Sequence, residues 1–271
     1  MPDYKFKFIY CILLYQYIII VKGHKINIVT INRKDYDSGL SSGKLRKIIN
    51  NEQIKLIPIP VREEELKDPL TLYLNELGLL DTEQILLHDI YEKDRFVPLD
   101  RFEKVMQLKK HMYFSLLCQM LGATELKINE ININTKQGNM SFVVGGKAKN
   151  IPVSIKGNYE DYTKLAAELE LHDIFDGNKP DIEAANDLLY KTGLYNDTQM
   201  LSILKARSVK SNMLKTRNLK INLSSEIKSQ LSVVAKLGIP KILGIEAKFD
   251  KINTENEELV LNVTIKFDED K

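Results

Sequence analysis

The stretch "NLKINLSSEIKSQLSVVAKLGI", residues 218–239, constrains the fold more than any other part of the chain. Every second residue from Leu219 to Ile239 is apolar or small, and most of those between are polar. Such alternation is the pattern of a half-buried strand. At about 3.3 Å per residue a strand of this length would extend roughly 70 Å, several times the usual 17–20 Å. It must therefore bend, break or project, and Ser225 and Ser229 mark where it would bend. A helix over 224–237 is the competing reading, with Ile227, Leu231 and Val234 at helical spacing and a serine as cap. The earlier start of the alternation at Leu219 favours the strand. "KILGIEAKFDKI" and "EELVLNVTIKF" alternate as well and extend the expected strand region to 242–267.

The rest of the chain supplies helices. Asp68 followed by Pro69 is a helix start, with a stripe of Leu70, Tyr73, Leu74 and Leu77 and a stop at Gly78. A short helix is expected from Asp81, with Gln84 in the capping-box position. A long helix is expected from about Pro98 to Leu121, burying Phe102, Val105, Met106, Tyr113, Leu116, Leu117 and Met120. Three short helices follow near 160–170, 181–192 and 197–207. Strands are expected at "HKINIVTINR", "IKLIPIPV", "TELKINEININT", "NMSFVVGG" and "IPVSIKGNY", with a short helix in "SSGKLRKIIN" capped by Ser42. A change of phase between Ile128 and Ile131 predicts a bulge, and "KQGN" predicts a hairpin turn. Strands and helices segregate rather than alternate. The predicted class is α+β: a curved, mostly antiparallel sheet with long C-terminal strands, packed against a long central helix and several short helices.

Residues 1–22 are set apart from a single α+β domain at 23–271 by "FIYCILLYQYIIIV". This run is shorter than the about 20 apolar residues of a spanning helix. It fits a buried strand, a membrane anchor or a signal-like segment, although "VKGHK" is no small-x-small cleavage site. The two cysteines, Cys11 and Cys118, cannot form a disulfide framework, which suits a reducing cytoplasm. With the apolar run, the expected location is cytoplasmic or peripheral/inner membrane-associated.

No catalytic signature stands out, and no catalytic, cofactor or metal residue is assigned. The pairs His88–Asp89 and His172–Asp173 are candidates for a hydrolase, but neighbours on a helix face apart and the other histidines lack ligand spacing. Both pairs sit in the tetrapeptide Leu-His-Asp-Ile, a match short enough to arise by chance. "GLSSGKL", Gly39 to Leu45, is one residue short of a phosphate-binding loop and has Leu where that loop needs a hydroxyl. Enzyme activity is thus not the expected function.

Charge is more informative. The net charge is +2, so no global field selects a partner. Locally, Thr198 to Ser225 contains no Asp or Glu while Lys205, Arg207, Lys210, Lys215, Arg217 and Lys220 accumulate. Residues 62–94 are acid-rich. A basic stretch of this kind is a solvated face, an anionic-lipid contact or a nucleic-acid contact. It has no aromatic residue, which counts against a base-stacking platform.

Long amphipathic strands beside basic residues resemble the general design of gasdermin-like and perforin-like pore formers, as a pattern. That likeness implies a non-enzymatic, membrane-associating effector: the six basic residues meet anionic headgroups, strands 219–239 and 242–267 insert, and the protein self-assembles on activation. The alternative is a soluble interaction or nucleic-acid-binding module using residues 205–220.

Overall fold

The computed structural model describes residues 27–135, 138–143, 148–149, 159–170, 172–211, 213–242, 244, 246, 249 and 258–267. The apolar run at 8–21, the turn residues at 136–137, "IPVSIKGNY" before Tyr159 and most of 243–257 lie outside them. The described part forms two compact units. One holds the residues up to His88 with Asp94–Leu99 and Val234–Glu246; the other holds Asp89–Lys93, Asp100–Val233 and the C-terminal strand.

In the first unit, β1 (Asn27–Asn32) leads into α1 (Arg33–Ser41) and α2 (Arg46–Ile49), then β2 (Ile54–Ile59) returns parallel to β1. Asn32 is the cap of α1, its side chain accepting from Lys34 N, so the expected strand ends a residue early and a helix replaces its tail. Ser42 closes this helix instead of opening the next one. After α3 (Pro69–Glu76), β3 (Gln84–His88) pairs antiparallel with β1, and β4 (Phe96–Pro98) with β3. The sheet order is β2-β1-β3-β4. The helix expected from Asp81 is therefore β3. Its consecutive Ile85, Leu86 and Leu87 are all at most 1% exposed, the signature of a strand covered on both faces. Asp68 caps α3 as expected, accepting from Thr71 N at 2.7 Å. The helix sets Leu70 and Leu74 against Ile28, Ile57, Ile59, Leu80 and Leu86.

In the second unit, α4 (Leu99–Met120) is the long helix; its first residue belongs with the first unit. Its buried side chains are Leu99, Phe102, Met106, Gln107, Lys110, His111, Phe114, Leu117 and Cys118, with Leu121 just past its end. They thus include a lysine and do not include Val105, Tyr113, Leu116 or Met120 as fully buried members. Gly122, at φ 77°, ends it; a Cβ there would lie 2.1 Å from the Asn178 carbonyl. Then follow β5 (Ala123–Thr135), β6 (Gly138–Val143), β7 (Ala148–Lys149), α5 (Tyr159–Leu169), β8 (His172–Ile174), α6 (Ile182–Thr192), α7 (Thr198–Ser208) and β9 (Thr216–Asn222). The last strand is β10 (Glu258–Phe267). The antiparallel order is β7-β6-β5-β10-β9, with β8 added to the start of β5. The predicted bulge is present: Asn262 pairs with Glu130 and Val263 with Ile128, leaving Asn129 between them.

The opening stretch divides. Residues 216–222 are strand, but α8 (Ser225–Lys236) and α9 (Ile239–Ile242) replace the rest of the expected strand 219–239. The helical period decides this: Ile227, Leu231 and Val234 are 0% exposed, whereas Val233 and Ala235, inward on the strand reading, are exposed. Ser224 makes the break, its hydroxyl accepting from Leu259 N at 3.1 Å. The expected strand at 242–267 is likewise helical at Ile242 and strand at 258–267. The class remains α+β with C-terminal strands and one long helix, but with two sheets.

Candidate functional site

The acid-free segment begins on α7. Asp197 caps this helix through Gln199 N and Met200 N, and the buried face is Met200, Ile203, Leu204 and Arg207. That phase sends Lys205 into solvent and Arg207 inward. Arg207 is 3% exposed; its Nε donates to Leu121 O (3.0 Å), Nη1 donates to Leu214 O (2.8 Å), and its guanidinium lies 4.4 Å over the Phe267 ring. Those bonds take Arg207 out of the expected contact set. Lys205, Lys210, Lys215 and Lys220 are exposed and Arg217 is half-buried. Between them Val209 is 47% exposed at the end of α7. On β9, Leu219 and Ile221 face the core, so Lys220 projects from the opposite face.

That opposite face is polar across four strands. Asn262 and Asn132 both donate to Glu130, Ser141 donates to Asn132, and Asn222 and Asn134 donate to Glu258. Asn129 donates to Thr264, which donates to Asn218 at 2.6 Å. At the lower end Glu125 meets Lys266 Nζ (2.5 Å) and His172 Nε2 (2.9 Å). The Lys266 ammonium is the main cause holding the Glu125 carboxyl below its usual range.

A second charged constellation surrounds α4 and was not foreseen. Lys110 Nζ is 0% exposed and bonds Asp197 Oδ2 (2.8 Å) and Glu226 Oε1 and Oε2 (both 2.9 Å). Lys109 bonds Asp89 (2.5 Å) and Glu92 (2.9 Å). The Asp89 side chain is itself 0% exposed, and its Oδ1 accepts from Tyr91 N and Glu92 N. Burial raises the Tyr91 phenol far above its ordinary range, and the fields of Glu226, Asp197 and Asp89 add to this. Each ammonium here faces two carboxylates, so both cations are fully paired while the carboxylates outnumber them two to one, and the cluster ties α4 to α7 and α8. The sequence signal was available: Phe102, Met106, Lys110 and Phe114 follow one another at four-residue spacing, which places Lys110 on the buried stripe.

The two His-Asp pairs separate. His88 packs edge-on to Phe96, while Asp89 turns to Lys109. His172 and Asp173 sit on a strand, not a helix, and so face opposite ways: His172 to Glu125, Asp173 to Ser115 Oγ (2.5 Å). His111 is 4% exposed, and burial lowers its pKa against the field of Asp173. Burial pushes the Cys118 thiol up, away from thiolate chemistry. Gly39 lies within α1 rather than in a loop. Among the described residues, no group of three His, Cys, Asp or Glu is placed to hold a metal ion, and no helix is long and apolar enough to cross a membrane. No family model, curated protein or solved structure matches the chain.

Proposed function

We propose that the protein is a non-enzymatic, membrane-associating protein that docks on anionic bilayer surfaces through the segment 205–220. One observation carries this reading. Lys205, Lys210, Lys215 and Lys220 are all exposed, as is the apolar Val209 beside Lys210 in the chain, on a segment without a single carboxylate. Cations gather at anionic headgroups, and an apolar tip among them enters the interface. A single-stranded nucleic-acid platform would want bases stacked on aromatic side chains, which the segment lacks.

At about 1 kcal/mol per lysine near the surface, the four exposed lysines supply about 4 kcal/mol. That corresponds to a dissociation constant of roughly 1 mM. Association through this segment alone is thus weak, reversible and strongly salt-sensitive. The pore-forming extension of this reading needs inserting strands, and the first segment proposed for insertion folds as a helix beyond Ser224.

Co-sedimentation with liposomes tests the proposal. The protein should pellet with phosphatidylserine-containing vesicles, not with phosphatidylcholine alone, and be released by salt. Lys205→Glu with Lys210→Glu should abolish pelleting. Absence of vesicle binding, together with a salt-steep mobility shift on nucleic acid, would transfer the basic segment to the other reading. Dye release from the same vesicles is the separate requirement for pore formation.

A further inference from the structure

The surface available to a bilayer extends beyond the basic segment. Strand β8 pairs Ile174 with Glu125, Asp173 with Leu126 and His172 with Lys127. Paired residues share a face. Leu126 is fully buried and Asp173 bonds Ser115 of α4, so that face looks toward the helix. Ile174, Glu125, His172 and Lys127 therefore occupy the opposite face. Next along the rows come Lys266, opposite Glu125, and Thr264, opposite Lys127; then Thr216 and Asn218 of β9.

Ile174 is 78% exposed, more than any other large apolar side chain among the described residues. Its nearest lysines by register are Lys127, opposite His172, and Lys266, opposite Glu125. The only carboxylate in these two rows, Glu125, is engaged by Lys266 and His172. The row that carries Ile174 and Lys266 ends at Thr216, directly after Lys215, whose carbonyl accepts from Phe267 N at 2.8 Å. The apolar tip is thus continuous with the basic segment along one edge of the sheet.

We propose that this end of the sheet is a second contact with the same bilayer surface. Ile174 enters the boundary between headgroups and acyl chains, Lys127 meets the lipid phosphates, and Lys266 stays on Glu125 and offsets its charge. The inference rests on the membrane-docking reading and adds to Val209 a second, more exposed apolar contact beside the four lysines. The occupant is an anionic phospholipid surface because an exposed aliphatic side chain next to the Lys127 ammonium, in line with the basic segment, suits an interface that is charged at its surface and apolar beneath it.

The chain contains no tryptophan, so Ile174→Trp introduces a single fluorescent reporter at an exposed position. Its emission should shift to the blue on phosphatidylserine-containing vesicles, be quenched by brominated phospholipid, and stay unchanged on phosphatidylcholine alone. Ile174→Ser should weaken vesicle binding about tenfold with the circular dichroism unchanged. Vesicle binding by the unaltered protein without any shift at position 174 would overturn this second contact and leave the basic-segment reading standing. No vesicle binding by the unaltered protein would remove both. A shift that follows protein concentration without vesicles would make a second copy of the chain the occupant, and a shift on single-stranded nucleic acid alone would make it a polynucleotide; either overturns the lipid assignment.

Discussion

The central strands of the two sheets are buried in different ways. In the first sheet β1 has five consecutive buried residues before the exposed Asn32, and β3 has three in a row. In the second sheet β10 alternates buried and partly exposed residues almost without fault along its length. A strand covered on both faces is held by apolar packing, and its tolerance is set by volume. A strand with one wet face leaves polar groups to organise the other side, and the helix beside it, α4, carries a buried lysine as well. The first unit should therefore fail through cavities, the second through charges left without partners.

Lys110→Ala is the sharpest way to test that contrast. It removes the cation facing Asp197 and Glu226, so the loss should be about 3 kcal/mol, at the low end for a broken buried pair because Glu226 keeps some access to water. Leu86→Ala in the first sheet should cost about as much, 2–5 kcal/mol, by leaving a cavity. Urea unfolding separates the two when the charge is removed without the volume: Lys110→Met should still lose most of the effect, whereas Leu86→Met should cost under about 1.5 kcal/mol. A Lys110→Met protein as stable as the parent would refute the charge account.

The same contrast explains what could be read from the sequence. Strands β5 and β10 and the bulge at Asn129 were legible because a one-sided strand writes its period into the residues. The cap Asp68 and the helix after it were legible through local chemistry that needs no tertiary partner. β3 was not, because Ile85, Leu86 and Leu87 carry no period when both faces are covered. Residues 224–236 were misread for a different reason: serines and single apolar residues satisfied a period of two and a period of 3.6 together, and only burial of Ile227, Leu231 and Val234 chose between them. Of the six expected contact residues, Arg207 could have been separated from Lys205 by the phase of α7, since Ile203, Leu204 and Arg207 lie along one helix face.

Arg207→Ala should have the next largest effect, a loss of about 2 kcal/mol, because the carbonyls of Leu121 and Leu214 lose their buried donor. Lys205→Ala, two positions away, should stay within about 0.5 kcal/mol. Liposome binding should reverse this order once stability is accounted for: the lysine substitution weakens it and the arginine substitution, measured where the protein remains folded, does not. Equal effects of both on binding would return Arg207 to the contact set.

Asp68→Ala should cost about 1 kcal/mol through loss of the α3 cap. Burial works against the Asp68 carboxylate, but the hydrogen bonds from Lys55 and Thr71 outweigh it and hold its pKa below the ordinary value. Its contribution is therefore complete above the unfolded pKa, near 3.8, and is lost as pH falls through the lower folded value. The variant's deficit should be constant from neutral pH to about pH 5 and shrink in stronger acid.

His111 should reveal itself from a higher pH downward. Its folded pKa lies below 6.5 because burial disfavours the imidazolium, a cost that the field of Asp173 only partly offsets. Well above pH 6.5 both folded and unfolded chains hold it neutral, and it contributes no pH dependence. As pH falls below 6.5 the unfolded chain takes up the proton first, so stability declines until the folded pKa is passed. The urea midpoint should thus begin to fall as pH drops below about 7, and His111→Leu should flatten that part of the curve with little change at neutral pH. A slope that survives the substitution would assign the effect to another group and leave the buried imidazole of α4 as simple packing.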